Sequence, residues 1–430
     1  MMPSVGLEDA MRRACGVLCV LLAVVAAATA SAQPTASEFN AAGVEQYNAK
    51  QYVSAIASFK KAYDLAPDNA TVKRNLSNAY QAQANESAKN NDLDAAIETL
   101  GLAIGVDPGN ALPLTQLGFY CLRKDLVADA AFRLEEAVEL DPQSIDAREL
   151  LGEAYFRQND LASALAQWEW VLEVQPNRPG LRQKFENALR QEAVEGNFGK
   201  SGSRHFQVSY APGTRGGDLS RLLMILERAR WEIGRKFGGA YPPAPIQVIV
   251  YTADQFAQAN QVDEHVGALY DGKIRVPLKD KAGAVISPNE LQRRLYHEYT
   301  HAIVRFVAKD NVPWWLNEGL AETFSNDLSS ADVAVLQEAN RRGQLHPLHR
   351  LEEGQLGKLD ASALGLAYLQ AHACVNYLWN KFGQLPLQRM MTELASGVAP
   401  EQALVENYRR NYRTLELEVA ANTGRSGSGS

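Results

Sequence analysis

The chain has 430 residues, 46% hydrophobic and 22% charged, enough for two or three ordinary globular domains. A formal net charge of −7 excludes the broad basic field that a nucleic-acid binder needs. With four cysteines, two of them inside the leader described next, a disulfide framework and a cysteine-ligated structural zinc are excluded as well.

Residues 1–32 read as an export signal. Arg12 and Arg13 precede an apolar run from Ala14 to Ala28, and Ala30-Ser31-Ala32 before Gln33 supplies a small-residue cleavage site. The alternative is an uncleaved anchor, for which the apolar run is short. Cys15 and Cys19 lie within that run, not after it, which argues against a lipoprotein signal. Cys121 and Cys374 fall in helical patterns of different predicted domains and are expected to be buried free thiols.

From 35 to 194 the chain repeats. Ala66-Pro67, Asp107-Pro108, Asp141-Pro142 and Gln175-Pro176 close successive units, and the last three prolines fall 34 residues apart. This is the period of tetratricopeptide repeats, two antiparallel helices per unit. Gly43, Ala55, Phe59 and Ala62 in the first unit, Gly118, Ala130 and Ala137 in the third, and Gly152, Tyr155, Ala164 and Trp168 in the fourth supply the expected pattern. Small residues let the two helices approach, and bulky ones fill the space between neighbours. The second unit departs from this: Pro67 and Pro108 are 41 residues apart, so about seven extra residues lengthen a helix or loop, and its glycine is missing. Leu181 to Val194 is read as a capping helix. A concave face for a peptide or protein partner is the usual role of such an array, and a rigid spacer is the plain alternative.

Gly196 to Ser203 reads as a loop and a domain boundary. Beyond it, His205 to Tyr210 alternates as a strand, Leu219 to Phe237 is a long amphipathic helix, and Ile246 to Tyr251 is a buried β-branched strand. Asp271-Gly272 between Gly267–Tyr270 and Lys273–Leu278 is a hairpin signal.

Then comes His297-Glu298-Tyr299-Thr300-His301. On a helix, positions i and i+4 share a face, so both imidazoles can point at one metal ion with the glutamate beside it. Glu318 follows 17 residues after His301, inside Trp314-Trp315-Leu316-Asn317-Glu318-Gly319-Leu320-Ala321-Glu322. Pro313 suits the start of a second helix, and Lys309 to Val312 reads as the turn that folds it back antiparallel. Two histidines, one glutamate and an open position are the donor set of a catalytic zinc. His205, His265, His346 and His349 are read as surface histidines.

In these residues, HEYTH at His297 to His301 and WWLNEGLAE from Trp314 to Glu322, the sequence resembles the gluzincin metallopeptidases. It resembles more closely the peptidase-MA-like domains that follow tetratricopeptide repeats. The resemblance implies a tetratricopeptide solenoid followed by an α+β thermolysin-like zinc peptidase domain over 203–422. It assigns His297, His301 and Glu318 as ligands of Zn²⁺ and Glu298 as general base. It gives Glu322 a hydrogen bond to the free N–H of a ligand histidine, the interaction that orients the ring and raises its basicity. It also implies an edge strand that binds substrate backbone beside the metal, here Gly267 and Ala268 at the head of the hairpin. An oxyanion-stabilising tyrosine or histidine would come from the C-terminal part, with Tyr368 ahead of His372, both in the helical pattern Leu364 to Phe382. Helices over Leu387–Ala395 and Pro400–Tyr408 follow, and 423–430 is read as a disordered Gly/Ser tail.

The expected function is zinc-dependent hydrolysis of peptide bonds in the periplasm, with the repeats recruiting a protein substrate or partner and with no membrane span after signal cleavage. The alternatives are a secreted repeat scaffold whose peptidase domain is inert, and a zinc enzyme acting on another amide such as a cell-wall peptide.

Overall fold

The computed structural model describes residues 34–260, 268–280, 282–309, 311–352 and 359–426. The signal at 1–32, Gly267 and His265 lie outside the described residues. Two compact units emerge. One runs to Lys124 and includes Arg133–Gln143; the other holds Asp125–Phe132 and everything from Ser144 onward.

In the first unit, helices α1 (Ala36–Asn48), α2 (Tyr52–Leu65), α3 (Ala70–Lys89), α4 (Leu93–Val106) and α5 (Ala111–Arg123) run into α6 (Val127–Leu140), which is divided between the units. The repeat works by close approach. A Cβ on Gly43 would stand 2.5 Å from the Phe59 ring, and one on Gly118 would stand 2.4 Å from Leu134. Ala84 precedes Leu100 by the 16 residues that also separate these two pairs, and both are fully buried. The irregular second unit therefore keeps its small–large pair, with alanine where the others have glycine. Its seven extra residues lie in α3, which has 20 residues against 13 in α1.

Each helical hairpin turns on a non-glycine residue in the left-handed region: Lys50, Asn91, Asp125 and Asn159, with φ between 58° and 63°. Side-chain caps then start the next helix. Thr35 forms a capping box with Glu38, and Asn69, Asp92 and Asn110 each accept a hydrogen bond from a first-turn backbone N–H.

In the second unit, α7 (Ile145–Arg157) and α8 (Leu161–Val174) form the last hairpin, closed by Gly152 against Trp168, and α9 (Leu181–Glu195) caps it. Then follows a mixed sheet of β1 (Gly199–Gly202), β2 (Phe206–Tyr210), β3 (Ile246–Tyr251), β4 (Leu269–Tyr270) and β5 (Ile274–Pro277). Its order is β1-β2-β3-β5-β4, with three parallel inner strands and an antiparallel strand at each edge.

Alternation divides the sheet's faces. Val208, Val248, Val250, Ile274 and Val276 point to one side and join the core of α10 (Gly216–Lys236) and α12 (Pro288–Ala308). Ile249 and Tyr251 point to the other, where they meet Val194 of α9 and Phe256 of α11 (Ala253–Asn260). A buried polar hub completes this second face. The Arg275 guanidinium, with no exposed side-chain surface, donates to Glu195 Oε1 at 3.0 Å, Gln191 Oε1 at 3.1 Å and the Asp271 carboxylate at 3.2 Å. Lys273 Nζ donates to Asn159 Oδ1 at 2.7 Å and lies 4.2 Å from the Phe156 ring centre, while Asn159 Nδ2 donates to Glu195 Oε2 at 3.1 Å.

The structure departs from the sequence reading in three places. The expected 196–203 loop contains β1, a glycine-rich edge strand held by its partner: Tyr210 fills the space over Gly199, which a Cβ would invade at 2.5 Å. That loop is also a connection inside one compact unit, because the capping helix covers the sheet. Last, the tail expected at 423–430 is helical as far as Ser426 in α18 (Tyr412–Ser426), which follows α16 (Gln384–Ala395) and α17 (Pro400–Tyr408). Thr423 is buried, and Gln337 of α14 (Ser330–Arg341) donates to its carbonyl at 2.7 Å. Cys121 and Cys374 are both free and buried. Among the described residues, no helix is long and apolar enough to cross a membrane.

Candidate metal centre

Helix α12 is capped by Ser287, whose hydroxyl accepts from the Glu290 N–H, with Pro288 in the first turn. Leu295, Tyr299 and Ile303 are buried in the core, which fixes the rotation of the helix and turns His297 and His301 toward α13 (Trp314–Ser325). Pro313 stands at the N-cap of α13, one place before the helix. The glycine after Glu318 has a mechanical reason: a Cβ on Gly319 would lie 2.4 Å from the Ala371 carbonyl oxygen. Only glycine lets α13 approach α15 (Ala361–Phe382) so closely, and this approach brings Tyr368 over the same region.

The two imidazoles and Glu318 converge. Glu318 Oε2 lies 3.5 Å from His297 Nε2 and 3.6 Å from His301 Nε2. Among the described residues these three are the one group whose ligand atoms all lie within 4.8 Å of one another. The remote nitrogens face acceptors. His301 Nδ1 is 3.1 Å from Asn317 Oδ1, which places the proton on Nδ1 and leaves the Nε2 lone pair facing inward. His297 Nδ1 lies 3.3 Å from Glu322 Oε1, close in distance although outside hydrogen-bond geometry.

Sequence reasoning gave Asn317 no role. The signal was there: it adjoins the candidate ligand Glu318 in the same short segment, and a carboxamide oxygen can do only what this one does, accept.

The electrostatics fit a cation. Burial works against charge on His297, but the carboxylates of Glu318 and Glu322 outweigh it and push the imidazole up to about 10. His301 is raised by Glu318 in the same way against its own burial. Burial would raise Glu318, yet the two histidines pull it down to about 2. Glu298, nearly fully buried, is raised by that burial and by Glu318 and Glu322, with the histidines opposing. Three acidic groups thus surround two imidazoles that can hold protons only by pairing with them. A divalent ion satisfies the same set when those protons leave. Two nitrogens and one carboxylate oxygen on adjoining helices match a zinc site with an open position.

The cleft around these residues has a volume of about 580 Å³. His297, Glu298, His301 and Glu318 line it together with Ala268, Tyr270 and Tyr368. Ala268 leads into edge strand β4, so that part of the expected substrate strand stands at the cleft. Tyr368 packs edge-on against Trp314, ring centres 4.9 Å apart, and burial and then the three carboxylates keep its hydroxyl protonated. His372 is buried, its Nε2 lacks a partner, and it does not line the cleft. His205 and His346, expected on the surface, are half-buried and bound to Glu227 and to the Ala363 carbonyl.

Residues 234–421 match the family model of the Peptidase MA superfamily. A stretch of 135 residues is 27% identical to mouse (Mus musculus) serine/threonine-protein phosphatase 5, covering 31% of this chain; the chain spans about a quarter of that relative's length, 27%. The first TPR of Spaghetti (RPAP3), solved with an HSP90 peptide, is 24% identical with a TM-score of 0.27 over 27% of this chain and 93% of that one. A MamA crystal structure is 22% identical with a TM-score of 0.30 over 37% of this chain and 86% of that one.

Proposed function

We propose, for a chain that carries tetratricopeptide-like repeats followed by a peptidase-MA-like domain, that it is a zinc-dependent peptidase with a thermolysin-like catalytic arrangement. The observation that carries the proposal is the convergence of His297, His301 and Glu318 within 4.8 Å, beside the buried Glu298. Zinc in that set supplies Lewis acidity, which polarises a carbonyl and makes water acidic near neutral pH.

The chain's own residues do the rest. Glu298 takes the proton of the attacking water and passes it to the leaving amine; the burial that raises its affinity for protons suits a base that must also act as an acid. Tyr368, protonated and facing the cleft, donates to the oxyanion that develops on the scissile carbonyl. Strand β4 offers its free edge to an extended peptide, a mode of binding that reads main chain and tolerates varied side chains. Asn317 and Glu322 orient the histidines. The signal read at 1–32 sends the protein through the export pathway to the periplasm, where the repeats recruit a protein substrate or partner.

Two variants separate the roles. Glu318→Ala loses zinc by metal analysis. Glu298→Gln keeps one zinc per chain and loses hydrolysis of unfolded protein. Full hydrolysis by Glu298→Gln removes the base assignment, and no hydrolysis by the zinc-loaded wild type on any peptide supports the inert-scaffold alternative.

A further inference from the structure

Next to the metal cleft lies a second cavity of about 420 Å³, a size typical of ligand sites, roughly 300–1,000 Å³. None of His297, His301 and Glu318 lines it. Its walls are the turn itself (Asp271, Gly272, Lys273), the start of α6 and the end of α7 in the repeats, and the Pro242–Pro245 segment. Two residues, Tyr270 and Arg305, line both this cavity and the metal cleft.

Three observations point to an occupant. Arg305 sits one helical turn after His301 on the same face of α12, and it makes no ion pair with any described residue. Its neighbours behave differently: Arg293 and Arg294 both pair with Glu290, and Arg157 pairs with Glu153 and Asp125. Second, Gln247 on β3 lines the cavity, is 9% exposed, and its Oε1 accepts no hydrogen bond. A buried carboxamide oxygen without a donor is costly, and an incoming N–H would satisfy it. Third, the wall is preformed, because the Lys273–Asn159–Glu195–Arg275 hub ties the β4–β5 turn to the last repeat and its cap.

We infer that substrate bound along β4 continues past Tyr270 into this second cavity, with a substrate carboxylate paired to Arg305 and a backbone or side-chain N–H on Gln247. The inference rests on the peptidase reading of the adjoining cleft. Helix rise puts Arg305 about 6 Å beyond His301 and about 12 Å beyond His297. An extended chain advances about 3.3 Å per residue, so the carboxylate stands roughly two to four residues from the scissile bond. The carboxylate is either an Asp or Glu side chain or the substrate's own C-terminus. Arg305 and Gln247 are then specificity-determining residues, and the end of the repeats forms part of the substrate site.

The test uses the zinc-loaded full chain carrying Glu298→Gln, with and without Arg305→Gln, to capture peptides from a random dodecapeptide library made once with free and once with amidated C-termini. Captured peptides are identified by mass spectrometry, and the same libraries are offered for cleavage to the wild type and to Arg305→Gln with Glu298 intact. The expected result is enrichment of carboxylate peptides by the Glu298→Gln chain and a loss of about tenfold or more with Arg305→Gln, partly restored by Arg305→Lys, which keeps the charge and loses the planar fork. Enrichment that survives amidation assigns a side chain; enrichment lost on amidation assigns the C-terminus. Arg305 is exposed, so its replacement leaves the fold intact, and unchanged zinc content and thermal unfolding verify this. Equal capture by both proteins, or capture by neither, overturns the inference. If the wild type cuts nothing while capture still depends on Arg305, the second site stands and the peptidase reading falls. If the wild type cuts peptides irrespective of Arg305, the reverse holds.

Discussion

Asn317 accepts from His301 Nδ1 at 3.1 Å and so fixes the tautomer that turns the Nε2 lone pair toward Glu318 and the candidate metal centre. Asn317→Ala should weaken zinc binding by about 10- to 100-fold, measured by chelator competition, with the helix content unchanged. An unaltered affinity would show that packing alone holds the ring. A second residue-scale consequence concerns Lys273, whose ammonium burial, with Arg275 adding to it, pulls down to about 7. In the unfolded chain a lysine titrates near 10.4. Between these values the unfolded state binds the extra proton, so the lysine's penalty is full below about pH 7 and is relieved as pH rises toward about 10. The stability of the wild type relative to Lys273→Met should therefore rise by about 1–3 kcal/mol between acid and alkaline pH in denaturant melts. A difference independent of pH would mean that Lys273 stays charged throughout.

At the scale of elements, the helix pairs depend on contact at single positions. A methyl group on Gly152 would stand 2.3 Å from Trp168 Nε1, whose N–H is already committed to the Glu149 carbonyl at 3.0 Å. Gly152→Ala should therefore cost about 1–3 kcal/mol by overpacking, despite the better helix propensity of alanine. Gly101→Ala, with open space around its Cβ, should stabilise α4 by about 0.5–1 kcal/mol in the same thermal assay. The repeat, the two helices of the candidate metal centre and the β4–β5 turn were legible because each rests on a local signal: a 34-residue proline period, an i, i+4 histidine pair and an Asp-Gly turn. Strand β1 and the end of α18 were not, since Gly199 and Thr423 take their conformation from Tyr210 and Gln337, which are distant in sequence. Helices α11 and α14 were also missed, although each opens on a capping box legible in the sequence, Thr252 with Gln255 and Ser329 with Asp332.

For the whole molecule, the sheet has two buried faces, and the repeats supply the cover of one. Glu195 closes the buried Arg275 pair from the capping helix, so the sequence boundary near 196–203 separates residues that fold together. A fragment starting at Ser203 should aggregate or stay unfolded by circular dichroism, whereas one starting at Ser144 keeps the hub and should fold. In the full chain, Glu195→Ala should cost about 1–3 kcal/mol, since it removes the buried carboxylate partner of Arg275 and leaves only the part-exposed Asp271 carboxylate to pair with it. The long-range contacts of this hub, the Arg275–Glu195 ion pair and the hydrogen bonds of Asn159, left no trace in the sequence, where these look like ordinary polar residues. On the proposed function, His297, His301 and Glu318 hold a zinc ion with which Glu298 hydrolyses peptide bonds. The most direct measurement is to incubate the zinc-loaded protein and its Glu298→Gln variant with an unbiased peptide mixture and read new termini by mass spectrometry. New termini from the wild type alone are the predicted result; identical termini from both proteins, or none from either with one zinc bound per chain, would contradict it.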